Sequence, residues 1–188
     1  MRKVTFGGAN SLDNFIARPD GAYDWILMGE EVAEIMKDYW ANIDTLVMGR
    51  KTWDVGRAAA PKTKKKRTEK KKQEAKNPYG NIKTYVFSRT LKAGEQGGAV
   101  IVNDDPGEFV RKLKQQDGKE ICVMGGGEIG RELLEAGVID EIGFAIHPML
   151  LGSGIPLFHE MKRQIDLELI ECRPFKNGCV YVLYRVKN

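Results

Sequence analysis

Three segments of this 188-residue chain put glycines, cations and hydroxyls where a phosphate could be held. In the first, the apolar run Leu46-Val47-Met48 leads into Gly49-Arg50-Lys51-Thr52. Gly49 lets a ligand approach the backbone, Arg50 and Lys51 supply charge, and Thr52 supplies a donor. The helix that this turn opens would add free N–H groups and a partial positive charge. In the second, Val123-Met124 runs into Gly125-Gly126-Gly127-Glu128-Ile129-Gly130. Side chains are missing there where a diphosphate or a flat ring would touch backbone. The third is Ser88-Arg89-Thr90, a hydroxyl beside an arginine, which suits a phosphate monoester. Taken singly, the first two also read as ordinary strand-to-helix turns, and Arg89 as a solvated loop residue. Taken together, they offer two diphosphate anchors and one extra cation, as a 2′-phosphorylated dinucleotide requires.

The elements needed to hold these segments are visible in the apolar patterning. Strands are predicted at 2–7, 44–48, 84–88, 99–102, 120–124 and 140–147. A helix is predicted over 30–41, where Val32, Ile35, Met36, Tyr39 and Trp40 recur at helical spacing behind Glu30 and Glu31. A second helix starts at Asp105-Pro106-Gly107-Glu108, with Asp105 as N-cap and Pro106 at the first helical position, and Gly118 is its expected stop. A third covers 128–136, before Gly137. The chain closes in a hairpin, 165–172 and 179–186, with positive φ angles expected at Asn177-Gly178. Strands alternating with helices predict one α/β domain with a mixed sheet: parallel strands joined by helical crossovers, and an antiparallel edge. All three candidate segments fall at strand carboxyl ends, where such sheets bind ligands.

Composition removes several classes of function. No apolar run approaches the roughly 18–20 residues needed to span a bilayer, so no membrane role is expected. Nor does the start of the chain read as a secretory signal. Three cysteines without a CxxC pair, and two isolated histidines, predict neither a disulfide framework nor a metal site. Cys122, Cys172 and Cys179 read as small apolar strand residues, which fits a reducing cytoplasm. The net charge of +4 is unevenly spread. Residues 57–76 hold 10 Lys/Arg and 2 Asp/Glu, a local +8, which leaves −4 for the remainder. That Lys-rich run has no apolar stripe and reads as a solvated surface segment. Long-range attraction of an anionic ligand is one further role for it, and contact with nucleic acid another. The absence of aromatics among its lysines weighs against nucleic acid.

The motifs ANSLDNFIA (9–17), DTLVMGRKTWD (44–54), YVFSRTL (85–91), VMGGGEIGRELLEAGVIDEI (123–142) and HPMLLGSGIPLF (147–158) resemble the dihydrofolate reductase superfamily. The similarity is greatest to its bacterial branch that includes the reductase domain of riboflavin biosynthesis. The resemblance implies a single reductase-like domain over 1–188, with a variable insert at 57–80. It implies a mainly parallel sheet of about eight strands with flanking helices and a C-terminal antiparallel hairpin. It also implies an NADPH-dependent reductase of a pterin-like or pyrimidine-like heterocycle, often homodimeric. By the same resemblance Gly49, Arg50, Lys51 and Thr52 form a phosphate turn, and Ser88 and Arg89 the 2′-phosphate clamp. Gly125, Gly126, Gly127, Glu128 and Ile129 lie under nicotinamide and diphosphate, while Ala9, Ile16 and Ala17 line the nicotinamide end. Glu30, or Asp24, matches the acidic residue that holds a pterin ring. Glu30 is equally suited to a helix-dipole role. Asn14 stands where relatives often have glycine, and asparagine tolerates the positive φ that such a turn needs. The alternative is a reductase-like fold without turnover whose basic insert holds nucleic acid or another polyanion.

Overall fold

The computed structural model describes residues 1–59 and 80–187, so most of the Lys-rich insert (60–79) lies outside the described residues. In chain order the strands are β1 (Val4–Ser11), β2 (Phe15–Ala17), β3 (Ile43–Gly49), β4 (Lys83–Phe87), β5 (Gly94–Gln96) and β6 (Ala99–Val102). They continue with β7 (Glu120–Met124), β8 (Glu141–His147), β9 (Ile155–Pro156), β10 (Leu167–Pro174) and β11 (Val180–Val186). The helices are α1 (Glu30–Ala41), α2 (Arg50–Ala59), α3 (Pro106–Lys114) and α4 (Gly127–Glu135). Among the described residues, nine strands form one sheet in the order β10-β11-β8-β1-β7-β3-β4-β6-β5. From β8 to β6 every neighbouring pair is parallel. The antiparallel pairs β10–β11, β11–β8 and β5–β6 lie at the two margins. A separate two-stranded ribbon joins β2 to β9.

The two faces of the sheet bury different cores. Val4, Phe6, Val47, Ile121 and Val123 pack beneath Val110 and Leu113 of α3 and Leu133 and Leu134 of α4. On the opposite face Leu46, Met48, Val86 and Cys122 pack with Trp53 of α2, and Tyr39 and Trp40 of α1 lean on them. β3 is buried nearly throughout because it is parallel, central and covered on both sides. By contrast, α1 contains no fully buried residue.

Several boundaries differ from the sequence reading, each for a physical cause. β1 runs on through Gly7 and Gly8 to Ser11. The strand expected over 2–7 thus extends four residues further, and Gly7 is a close strand contact: a Cβ there would lie 2.8 Å from the Gly143 carbonyl oxygen. α3 begins as predicted, with the Asp105 carboxylate accepting from the Glu108 N–H at 2.9 Å. It ends at Lys114 with Gln115 as C-cap. Gly118 is therefore not the helix stop; its φ of +151° threads the chain beneath Arg2 and Asp44. α2 continues through Arg57–Ala59, taking in the first residues of the segment 57–80 that the resemblance marks as an insert. The short strands β2, β5 and β9 were not read, because two or three residues cannot show a period. In the hairpin turn only Gly178 has positive φ (+87°), while the Asn177 side chain accepts from the Cys179 N–H at 3.0 Å. Cys122 and Cys179 are buried, but Cys172 is exposed on β10. The substitution at Asn14 is accommodated as expected, with φ +64°.

Candidate active site

β7, β3 and β4 lie side by side and parallel, so their carboxyl ends open on one edge of the sheet. Gly49 is level with Phe87 of β4, and Met48 with Met124 of β7. The turns 49–52, 88–90 and 125–129 are thereby brought together. Two helices start within this cluster: α2 directly at Arg50 and α4 at Gly127. Thr52, in the first turn of α2, reaches across and accepts from the Gly126 N–H at 3.3 Å.

The glycines of this edge do two different things. Gly125 has φ +92°, and a Cβ there would fall 2.5 Å from Thr52 Cγ2. A Cβ on Gly127 would fall 2.6 Å from His159 Cδ2 and 3.0 Å from the Leu157 carbonyl carbon. Those two positions are occupied by the protein itself. Around Gly49 and Gly126 an added Cβ would meet nothing within 4 Å among the described residues. Gly126 is the N-cap of α4; its own N–H is taken by Thr52, and the space on its Cβ side is open among the described residues. Two bare backbone surfaces at two helix starts fit the diphosphate of a dinucleotide.

The cations around them are each held by an acid or hydroxyl. Arg50 Nη1 donates to Thr90 Oγ1 at 2.8 Å, and its Nε donates to Asp54 at 3.3 Å. Lys51 Nζ lies 3.9 Å from Glu128 Oε1. Arg89 Nη2 donates to Glu132 Oε1 at 3.0 Å while its side chain is 90% exposed. Ser88 is buried. Its Oγ accepts the N–H groups of Thr90 and Leu91 at 3.2 and 3.0 Å, which turns the chain and projects Arg89 outward.

A second group of residues adjoins the end of β1. Gly7 pairs with Gly143 of β8 and Ala9 with Ala145, which leaves a strip of small residues on the face carrying Tyr39 and Tyr181. Ile16 and Ala17 lie on the β2–β9 ribbon above β1. Asp13 ties that ribbon down. Its carboxylate accepts from the Ser11 hydroxyl and from the N–H groups of Gly152 (2.8 Å) and Leu151 (3.1 Å). The Ser11 hydrogen bond leads in holding Asp13 below the usual carboxylate range. Asp24 is exposed and paired with Arg18 at 2.9 Å. That hydrogen bond likewise keeps its carboxyl below the ordinary value. Asp24 lines an open pocket of about 540 Å³ with Ala22, Tyr23, Ile26 and Met28. Glu30 stands exposed at the start of α1. Trp25 and His147, both buried, meet edge to face at 5.3 Å between ring centres. Among the described residues no cluster of three or more His, Cys, Asp or Glu is placed to hold a metal. No helix among them is long and apolar enough to cross a membrane.

The pattern of the RibD C-terminal domain matches this chain over residues 2–181. The chain belongs to the RibD C-terminal domain family. It is 35% identical over 184 residues to YyaP of Bacillus subtilis (strain 168), an uncharacterized protein, covering 98% of this chain and 95% of that one. A Shewanella sp. PV-4 protein, provisionally ascribed to riboflavin biosynthesis, superposes with a TM-score of 0.80 at 24% identity, covering 100% of both chains. Dihydrofolate reductase from Enterococcus faecalis, complexed with NADP(H) and RAB-propyl, superposes with a TM-score of 0.67 at 16% identity. That superposition covers 99% of this chain and 97% of the reductase. These likenesses show a dihydrofolate-reductase-like fold.

Within this RibD C-terminal domain, the sequence reading located the glycine turns but missed Asp13, Glu132 and the Trp25–His147 contact. Asp13 acts on residues 138 and 139 positions away, and nothing local to it gives that away. Ser88-Arg89 was read as a pair, and the structure separates its parts: the hydroxyl shapes the turn and the guanidinium faces out.

Proposed function

We propose that this RibD C-terminal domain protein is a cytoplasmic NADPH-dependent reductase of a pterin-like or pyrimidine-like heterocycle. The observation that carries this reading is the pair of open glycines, Gly49 and Gly126, at two helix starts flanked by Arg50, Lys51 and Arg89. Bound there, a reduced nicotinamide supplies a hydride. The chain's own part is to hold and orient. Gly49–Thr52 and Gly125–Ile129 offer backbone and cations to the diphosphate, and Arg89, projected by the turn that Ser88 shapes, offers the 2′-phosphate clamp. Ala9, Ile16 and Ala17 border the space where the acceptor ring would meet the nicotinamide. Such positioning provides much of the rate in a hydride transfer. Asp24 is committed to Arg18, which leaves Glu30 as the acidic candidate for holding the acceptor ring. The Lys-rich segment 57–80 serves as a variable insert outside this machinery. Titration of the folded protein with NADPH, followed by nicotinamide fluorescence, is expected to show saturable binding. No binding at high micromolar cofactor overturns the reading.

We also propose a homodimer formed through β10. This strand ends the sheet and presents Leu167, Leu169 and Ile170, which are 39, 54 and 41% exposed. An apolar edge of this kind favours pairing with another strand. Light scattering is expected to give twice the chain mass for the parent protein and the single-chain mass for Leu169→Lys. A monomeric parent protein at the same concentration rules this interface out.

A further inference from the structure

We infer that Glu132 sets how strongly this site prefers a 2′-phosphorylated dinucleotide over its unphosphorylated counterpart, an inference that rests on the reductase reading above. Each cation of the cradle faces a carboxylate: Arg50 faces Asp54, Lys51 faces Glu128, and Arg89 faces Glu132. Glu128 and Glu132 stand one helical turn apart on α4, so the helix whose start faces the open glycines also turns two acids toward the cations. Three positive charges meet three negative ones, and the cradle has little net charge of its own. A site selected for phosphate charge alone would leave its cations unopposed.

Of these acids Glu132 is the most firmly placed. Its side chain is 28% exposed against 90% for the Arg89 that it holds, so the acid is the fixed member and the guanidinium the free arm. A phosphate monoester that docks on Arg89 must share the guanidinium with Glu132 or displace it, and it meets a like charge in either case. A ribose 2′-hydroxyl meets no such opposition, because a carboxylate accepts a hydrogen bond from it. Arg89 and Glu132 therefore pull the selectivity in opposite directions, and the observed preference is their balance. Like charges a few ångströms apart at a solvated surface are worth about a three- to tenfold change in affinity.

The test measures dissociation constants of NADPH and NADH by fluorescence for the parent protein and Glu132→Gln, at low and high salt. Circular dichroism verifies that both are folded. Glu132→Gln is expected to tighten NADPH by about three- to tenfold, leave NADH within about twofold, and lose most of that gain at high salt. Unchanged or weaker NADPH binding by the variant overturns the assignment of Glu132, as does equal tightening of both cofactors. If the folded parent protein binds neither cofactor, the reductase reading itself falls. A parent protein that binds NADPH while the variant behaves identically overturns the role of Glu132 alone.

Discussion

Arg89→Ala is expected to weaken NADPH binding by about tenfold or more while leaving NADH within about twofold. The two cofactors differ only in the 2′-phosphate, so a residue that contacts that group alone must separate them. Arg89 projects from the turn that follows β4, outside the 49–52 and 125–129 turns that we propose for the diphosphate. A charge-assisted hydrogen bond to a phosphate contributes about 1.5–3 kcal/mol, and the 90% exposure of Arg89 argues for the lower end of that range. Its removal also strips Glu132 of its partner and leaves a bare carboxylate beside the docking point, which adds to the loss of NADPH. Stability should barely change, since a solvated arginine with one surface ion pair contributes little to the fold. The measurement is a pair of fluorescence titrations with each cofactor. Equal losses for NADPH and NADH would assign Arg89 to the diphosphate and remove the basis for NADPH preference.

What the sequence reveals of this fold depends on how local the cause is. β6 and β7 have the bounds read from their apolar runs, because a buried parallel strand is written in consecutive residues. The Asp105 cap of α3 is equally local, a side chain three residues from the N–H that it satisfies. Gly118 misled because a glycine soon after a helix suggests a helix stop, whereas its actual constraint comes from Arg2 and Asp44, far off in sequence. The glycine run 125–127 shows the same limit within the site. Sequence alone locates a Gly-rich turn between strand and helix. It cannot say that Gly125 makes room for Thr52, that Gly127 makes room for Leu157 and His159, or that a Cβ on Gly126 would meet none of the described residues within 4 Å. Those distinctions arise from residues tens of positions away that only the sheet order brings into contact.

That division among the glycines leads to a paired expectation. Gly126→Ala should fold normally and lose cofactor, whereas Gly125→Ala should lose stability first. At Gly126 the backbone sits at φ −58°, ψ 149°, a conformation open to any residue, and a Cβ meets no atom of the described residues within 4 Å. Alanine there narrows the unfolded ensemble but caps α4 less well than glycine, so the two effects oppose and the melting temperature should stay within a few degrees of the parent. Its methyl group, however, would fill the open space at the start of α4 and hold a diphosphate off the backbone there. NADPH affinity should then fall by about tenfold or more, with NADH falling alike, because both share the diphosphate. At Gly125 the φ of +92° strains any L-residue, and the new methyl group would press on Thr52. Strain and overpacking together should remove about 2–4 kcal/mol, which lowers the melting temperature by about 5–12 °C. Thermal melts and titrations on the two variants separate the roles. Gly126→Ala with parental affinity for both cofactors would show that no ligand approaches the backbone there. Equal destabilisation by both variants would show instead that the whole glycine run serves packing. A split between them, stability lost at Gly125 and affinity at Gly126, is what a turn built half for the protein and half for a ligand must give.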